Sequence, residues 1–141
     1  MKKADASMEE IVTLSLTRGQ DTMTALYGFL QDKRWSRALI LSGIGSVSSI
    51  TLGNPLDHGS PPKMAVTTFN EPAEVLGFAG EIFRKDLAPA DMPAHARDTP
   101  CNYVVHIHAT ISYGGGTVTG GGFRNGTVMR ALNIYIQALG G

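Results

Sequence analysis

The chain has 141 residues, 43% of them apolar and 17% charged, which suits a single folded domain over residues 1–141 and excludes intrinsic disorder. Twelve Lys and Arg balance twelve Asp and Glu, which excludes a chain-wide electrostatic grip on DNA or on an anionic membrane and leaves little charge repulsion between copies. The single cysteine, Cys101, excludes an intrachain disulfide and a multi-cysteine zinc site, and fits a reducing compartment.

No apolar run approaches the ~20 residues of a membrane helix. The opening segment MKKADASMEE lacks the apolar core of a secretory leader, so a cytoplasmic location without membrane contact is expected. Residues 11–17, IVTLSLT, alternate Val12, Leu14 and Leu16 with Thr13, Ser15 and Thr17, the pattern of a half-buried strand. Arg18 to Asp21 form a turn, and Asp21 is placed to cap a helix. Met23, Leu26, Tyr27 and Leu30 follow at helical spacing, with Lys33 and Arg34 complementing the C-terminal dipole. The spacing predicts one main helix over about 22–34.

The next segment, RALILSGIGSVSSITLGN, is strand-like but interrupted at Gly43 and Gly45, which predicts a bulge or sharp bend. It is no dinucleotide-binding fingerprint: Ser48 replaces the third glycine, and strand character follows where a helix is required. LDHGSPPK makes a polar turn between this strand and the strands MAVTTF and EVLGFAGEIF. Residues 84–100 contain Pro89, Pro93 and Pro100 and read as the longest loop. NYVVHIHATIS, TVTGGGF and GTVMRALNIYIQAL complete the strands, separated by a hairpin signal at Tyr113 to Gly116 and by Arg124-Asn125. In the last strand both faces are apolar: Val128, Leu132, Ile134, Ile136 and Ala138 on one, Met129, Ala131, Asn133, Tyr135 and Gln137 on the other. One helix covers one face of a sheet, so the other face is expected to meet another subunit. The fold class is α+β, mainly sheet.

Alternation places His106, His108, Thr110 and Ser112 on one face of their strand, opposite Val105, Ile107, Ala109 and Ile111. The two imidazoles then have Cβ atoms roughly 6.5 to 7 Å apart, near enough to converge on one cation, although zinc normally takes three or four protein ligands. Polar side chains on a half-wet sheet or at a subunit contact give the same pattern. Gly120, Gly121 and Gly122 let backbone pass close to a strand, a subunit or a ligand. Glu74 and Glu81 frame the strand around Gly77; either could complete a shell or act as a base, or be a solvated strand-end charge. Arg130 suits an interface pair or an anionic ligand. Lys33, Arg34 and Arg37 around Trp35 make a short basic-aromatic cluster. His58 and His95 read as loop residues. No nucleophile or triad is visible around Ser42 and Ser46, so a non-enzymatic protein is favoured; in an enzyme, His106 or His108 would be the acid-base group.

The order LSGIGSVSSITLGN, EVLGFAGEI, HIHATIS and TVTGGGFRNGTV, followed by a long final strand, resembles the plants-and-prokaryotes-conserved (PPC) domain from about Glu10 to Leu139. That resemblance implies an antiparallel sheet with few helices, assembled as a homotrimer. Plant members place this domain after AT-hooks and associate with AT-rich DNA, and bacterial members carry a DNA-binding label by analogy. No Arg-Gly-Arg-Pro hook core occurs here. The resemblance therefore implies a DNA-associated, transcription-regulatory protein without a hook of its own. The alternative is a small-molecule or metal site at a subunit interface around His106 and His108. Many prokaryotic relatives pair His-x-His with Gly-Gly-His; the third histidine falls on Gly122 here. Zinc would then need Glu74, another residue or a neighbouring subunit as ligand, and no bound zinc is the expectation.

Overall fold

The computed structural model describes residues 10–140; residues 1–9, which hold most of the segment read as lacking a leader core, and residue 141 lie outside the described residues. The alternating segment forms β1 (Ile11–Thr17), with Leu16 buried. Asp21 caps α1 (Thr22–Leu30) by accepting from the Thr24 amide at 3.0 Å. This helix stops four residues before the predicted end. Residues 31–34 offer nothing apolar to bury, and packing sustains a short helix. Lys33 instead turns its ammonium over the Phe29 and Trp35 rings, at 4.5 and 5.5 Å.

Five more strands follow: β2 (Arg37–Pro55), β3 (Met64–Phe69), β4 (Ala73–Arg84), β5 (Tyr103–Tyr113) and β6 (Thr117–Gly140). All named pairings are antiparallel, in the order β1-β6-β5-β4-β2-β3. Strand β2 also pairs with β6, so β2, β4, β5 and β6 close a circuit around a core that includes Ile40, Phe78, Ile82, Ile107, Phe123 and Leu132. Register shifts flank Gly43 and Gly45, which is the predicted bend. A Cβ built on Gly43 would lie 2.8 Å from that of Phe78.

Two expectations need correction. The last two predicted strands are one, β6, running straight through Arg124-Asn125. Thr51 pairs with Asn125 and Leu52 with Phe123, so Arg124 is the extra residue of a β-bulge and not part of a turn. The proline-rich stretch is also not a bare loop. It contains a 3-10 turn at Lys85–Leu87 and a short helix, α2 (Ala94–Arg97). Met92 and Ala96 pack on Val104 and Phe83, and Arg97 donates to the carbonyl oxygens of Met92, Pro89 and Ala90. That segment covers the outer face of β5 at its start.

Asn125 ties the start of α1 to β6. Its Oδ1 accepts from the amides of Met23 (3.1 Å) and Gly126 (2.8 Å), and its Nδ2 donates to Asp21 Oδ1 at 2.7 Å. Burial works against ionisation of Asp21, but bonds from Thr24 and Asn125 outweigh it and hold the carboxyl below its usual range. Asn125→Ala leaves two amides without their acceptor. It should cost about 2 kcal/mol, read as a lower urea midpoint with an unchanged m-value.

Candidate functional site

Along β5, Tyr103, Val105, Ile107, Ala109 and Ile111 are buried, so His106, His108, Thr110 and Ser112 project outward together. The rings of His106 and His108 lie 5.0 Å apart at 89°. The α2 segment covers Val104, and its first turn brings the His95 ring to 6.1 Å from that of His106 at 73°. Three imidazoles thus form a row from α2 out along β5. His95, read from sequence as a loop residue, joins the row only because α2 folds back over β5; no local pattern signals it.

Across the sheet, His108 pairs with Gly122, and Gly122 with Gly53. Two of the three positions in this row have no side chain, and Arg124 lies over Gly53: a Cβ there would meet Arg124 Nη2 at 2.9 Å. The Nε of Arg124 and the Nε2 of His95 are both buried without a hydrogen-bond partner. Arg124 was hidden in sequence by its neighbour Asn125, which together with it reads as a strand break.

The glycine triplet has a structural explanation. A Cβ on Gly120 would lie 2.8 Å from Ala109 O, and one on Gly121 would lie 2.6 Å from Asn54 Nδ2, so close strand approach requires both. Asn54 Nδ2 donates to Gly120 O at 2.9 Å and fixes that approach.

The two framing carboxylates separate. Glu81 pairs with His106 across β4 and β5, whereas Glu74 pairs with Ser112. Glu74 instead lines a surface depression of about 410 Å³ with Ser112, Tyr113, Gly114 to Gly116 and Met129. The bulge between Val75 and Gly77 sets this register. Arg130 is exposed on β6, and its backbone amide donates to Ser46 Oγ at 3.2 Å. Lys33 and Arg34 line a different depression of about 560 Å³ with Asp32, Arg84 and Tyr103, where Arg84 is paired with Asp86 at 2.7 Å. The structure thus brings together His106 and His108 and leaves Glu74 and Arg130 elsewhere.

Burial pushes His95 down to about 4, with the charge of Arg124 and the neighbouring His106 acting in the same direction. Burial and His108 also lower His106, opposed by Glu81. Both rings are therefore neutral at pH 7. Among the described residues, no group of three or more His, Cys, Asp or Glu side chains is arranged to hold a metal ion. The imidazoles meet edge to face and do not converge.

Residues 3–140 match the model of the Plants and Prokaryotes Conserved (PCC) domain. The chain belongs to this family. Solved structures share the PCC-domain fold seen here: a metal-containing protein from Archaeoglobus fulgidus (23% identity, TM-score 0.72, covering 94% of this chain and 81% of that one), a plant- and prokaryote-conserved protein from Pyrococcus horikoshii (20%, 0.72, 94% and 80%), and a putative DNA-binding protein from Bacteroides thetaiotaomicron (17%, 0.71, 91% and 78%). No curated protein matches this PCC domain. Among the described residues no helix is long and apolar enough to cross a membrane.

Proposed function

We propose that this PCC-domain protein is a homotrimer associated with DNA, effective through assembly and not through a basic groove on each subunit. One observation carries the assembly. Ile44 (62% exposed) and Leu76 (57% exposed) lie on β2 and β4 beside the Gly45–Val75 pair, with Leu41 (41% exposed) further along β2. Large apolar side chains in the middle of a sheet's outer face favour burial against a sister copy. The DNA part is supported by the family and by the description of the Bacteroides relative as a putative DNA-binding protein. With zero net charge over the chain, the described residues of each subunit offer Lys33, Arg34 and Arg37 as a local basic patch. Three such patches on one particle add their weak contacts through avidity.

Ile44→Asp should convert the trimer to lone subunits in sedimentation velocity and should remove measurable DNA binding. For the parent protein, binding to duplex DNA should weaken steeply between about 50 and 200 mM salt. A parent protein that sediments as a single subunit, or binding indifferent to salt, overturns the proposal.

A second reading, a small-molecule binding site at the imidazole row, is favoured by one specific observation: two buried, unpartnered nitrogens, His95 Nε2 and Arg124 Nε, beside His106. Buried polar atoms in folded proteins are normally satisfied, so such a pair marks a place for a partner. Zinc does not fit this donor set. Gly122 supplies no ligand, Glu74 sits opposite Ser112, and the fixed charge of Arg124 acts on the row.

A further inference from the structure

We propose that Arg124 and His95, with His106 beside them, form a binding site for a small oxyanion, a phosphate or a carboxylate group; the proposal rests on the small-molecule reading above. An arginine stays charged at any physiological pH, and its planar fork of N–H donors matches two oxygens of one anion. Arg124 Nε is buried and donates to nothing, while Arg84 is the arginine that pairs with a carboxylate among the described residues. His95 Nε2, also unpartnered, is a second donor in the tautomer that carries its proton there. The guanidinium of Arg124 fills the space over Gly53, and the adjoining position Gly122 leaves room beside it: a Cβ there would touch nothing nearer than Gly53 O at 3.4 Å. Charge is polarised across β5. Glu81 lies opposite His106 on the β4 side, and Arg124 belongs to β6 on the other. A cation approaching from the β6 side meets a fixed positive charge; an oxyanion meets complementary donors.

The test is a titration of the intact protein with inorganic phosphate and, separately, with acetate, at constant ionic strength. It follows the Arg124 Nε–H and His95 ring signals by NMR. A saturable shift of both signals is expected with at least one anion, and which anion gives it identifies the group bound. Arg124→Gln should weaken that binding at least about tenfold, with amide signals of the core unchanged. Should that variant not fold, Arg124→Lys, which keeps the charge but loses the fork, should weaken it in the same direction. No saturable shift with either anion, or equal affinity after Arg124 is replaced, overturns the oxyanion site. A parallel zinc titration separates the two levels. Histidine shifts with zinc alone overturn the oxyanion and also the argument that zinc does not fit, while still marking the row as a ligand site; silence in all three titrations removes the ligand site as well.

Discussion

Gly45→Ala should lower the stability of the protein by about 4 kcal/mol or more, an effect reserved for substitutions with a specific steric cause. The cause is backbone against backbone. A Cβ on Gly45 would lie 2.0 Å from Ala131 O and 2.7 Å from Leu132 Cα, and the residue has φ +156°, outside the range a side chain readily adopts. Neither neighbouring atom can rotate away, since both belong to the stretch of β6 paired with β2 and β1. With typical net stabilities of ~5–15 kcal/mol, the loss leaves a marginal protein at best. Urea denaturation measures it. Gly28→Ala serves as the control: Gly28 is an exposed position of α1 with nothing within 4 Å of a new Cβ, so that variant should gain about 0.5–1 kcal/mol. A Gly45→Ala protein within about 1 kcal/mol of the parent contradicts the close approach of β2 to β6.

The second large effect is acid sensitivity centred on α2. His95 takes a proton near its ordinary 6.5 when unfolded but only at about 4 when folded. Between those values the unfolded state binds more protons. The stability present above pH 6.5 is therefore lost progressively as pH falls toward 4, by about 1–2 kcal/mol for a ring that solvent still partly screens. The lowered His106 acts with the same sign. Local opening is the expected route, because α2 is held by the small cluster of Met92, Ala96 and Val104 and by the Arg97 bonds to carbonyls. Denaturant midpoints measured from pH 7 to 4 should fall for the parent protein and flatten for His95→Gln. An identical pH profile in the two proteins removes His95 as the cause.

Much of the sheet was legible because its signals are local. Alternation in residues 11–17 and 103–112 sorted inner from outer side chains, Asp21 marked the start of α1, and Gly43 with Gly45 marked the bend in β2. What escaped depends on distant partners. The end of α1 is set by the absence of anything apolar to bury after Leu30, not by the favourable charges at Lys33 and Arg34. The continuity of β6 through Arg124-Asn125 is set by pairing with Thr51 and Leu52, more than seventy positions earlier in the sequence. Within the site, the two β5 histidines could be placed side by side from spacing alone. Glu74 could not be told from Glu81 without the bulge at Val75 and Gly77, which fixes what each carboxylate faces. His95 and Arg124 reach the row through a folded-back segment and a bulge, features that leave no periodic trace.

The reach of β6 also bears on how the molecule is made. This single segment pairs with β1, β2 and β5 and emerges during synthesis after all three of them. Until it leaves the ribosome, the edges it will cover remain available to any passing chain. Contacts so far apart in sequence also form slowly. The nascent domain should therefore depend on chaperone shielding until β6 docks, and misassembly should concentrate in that interval.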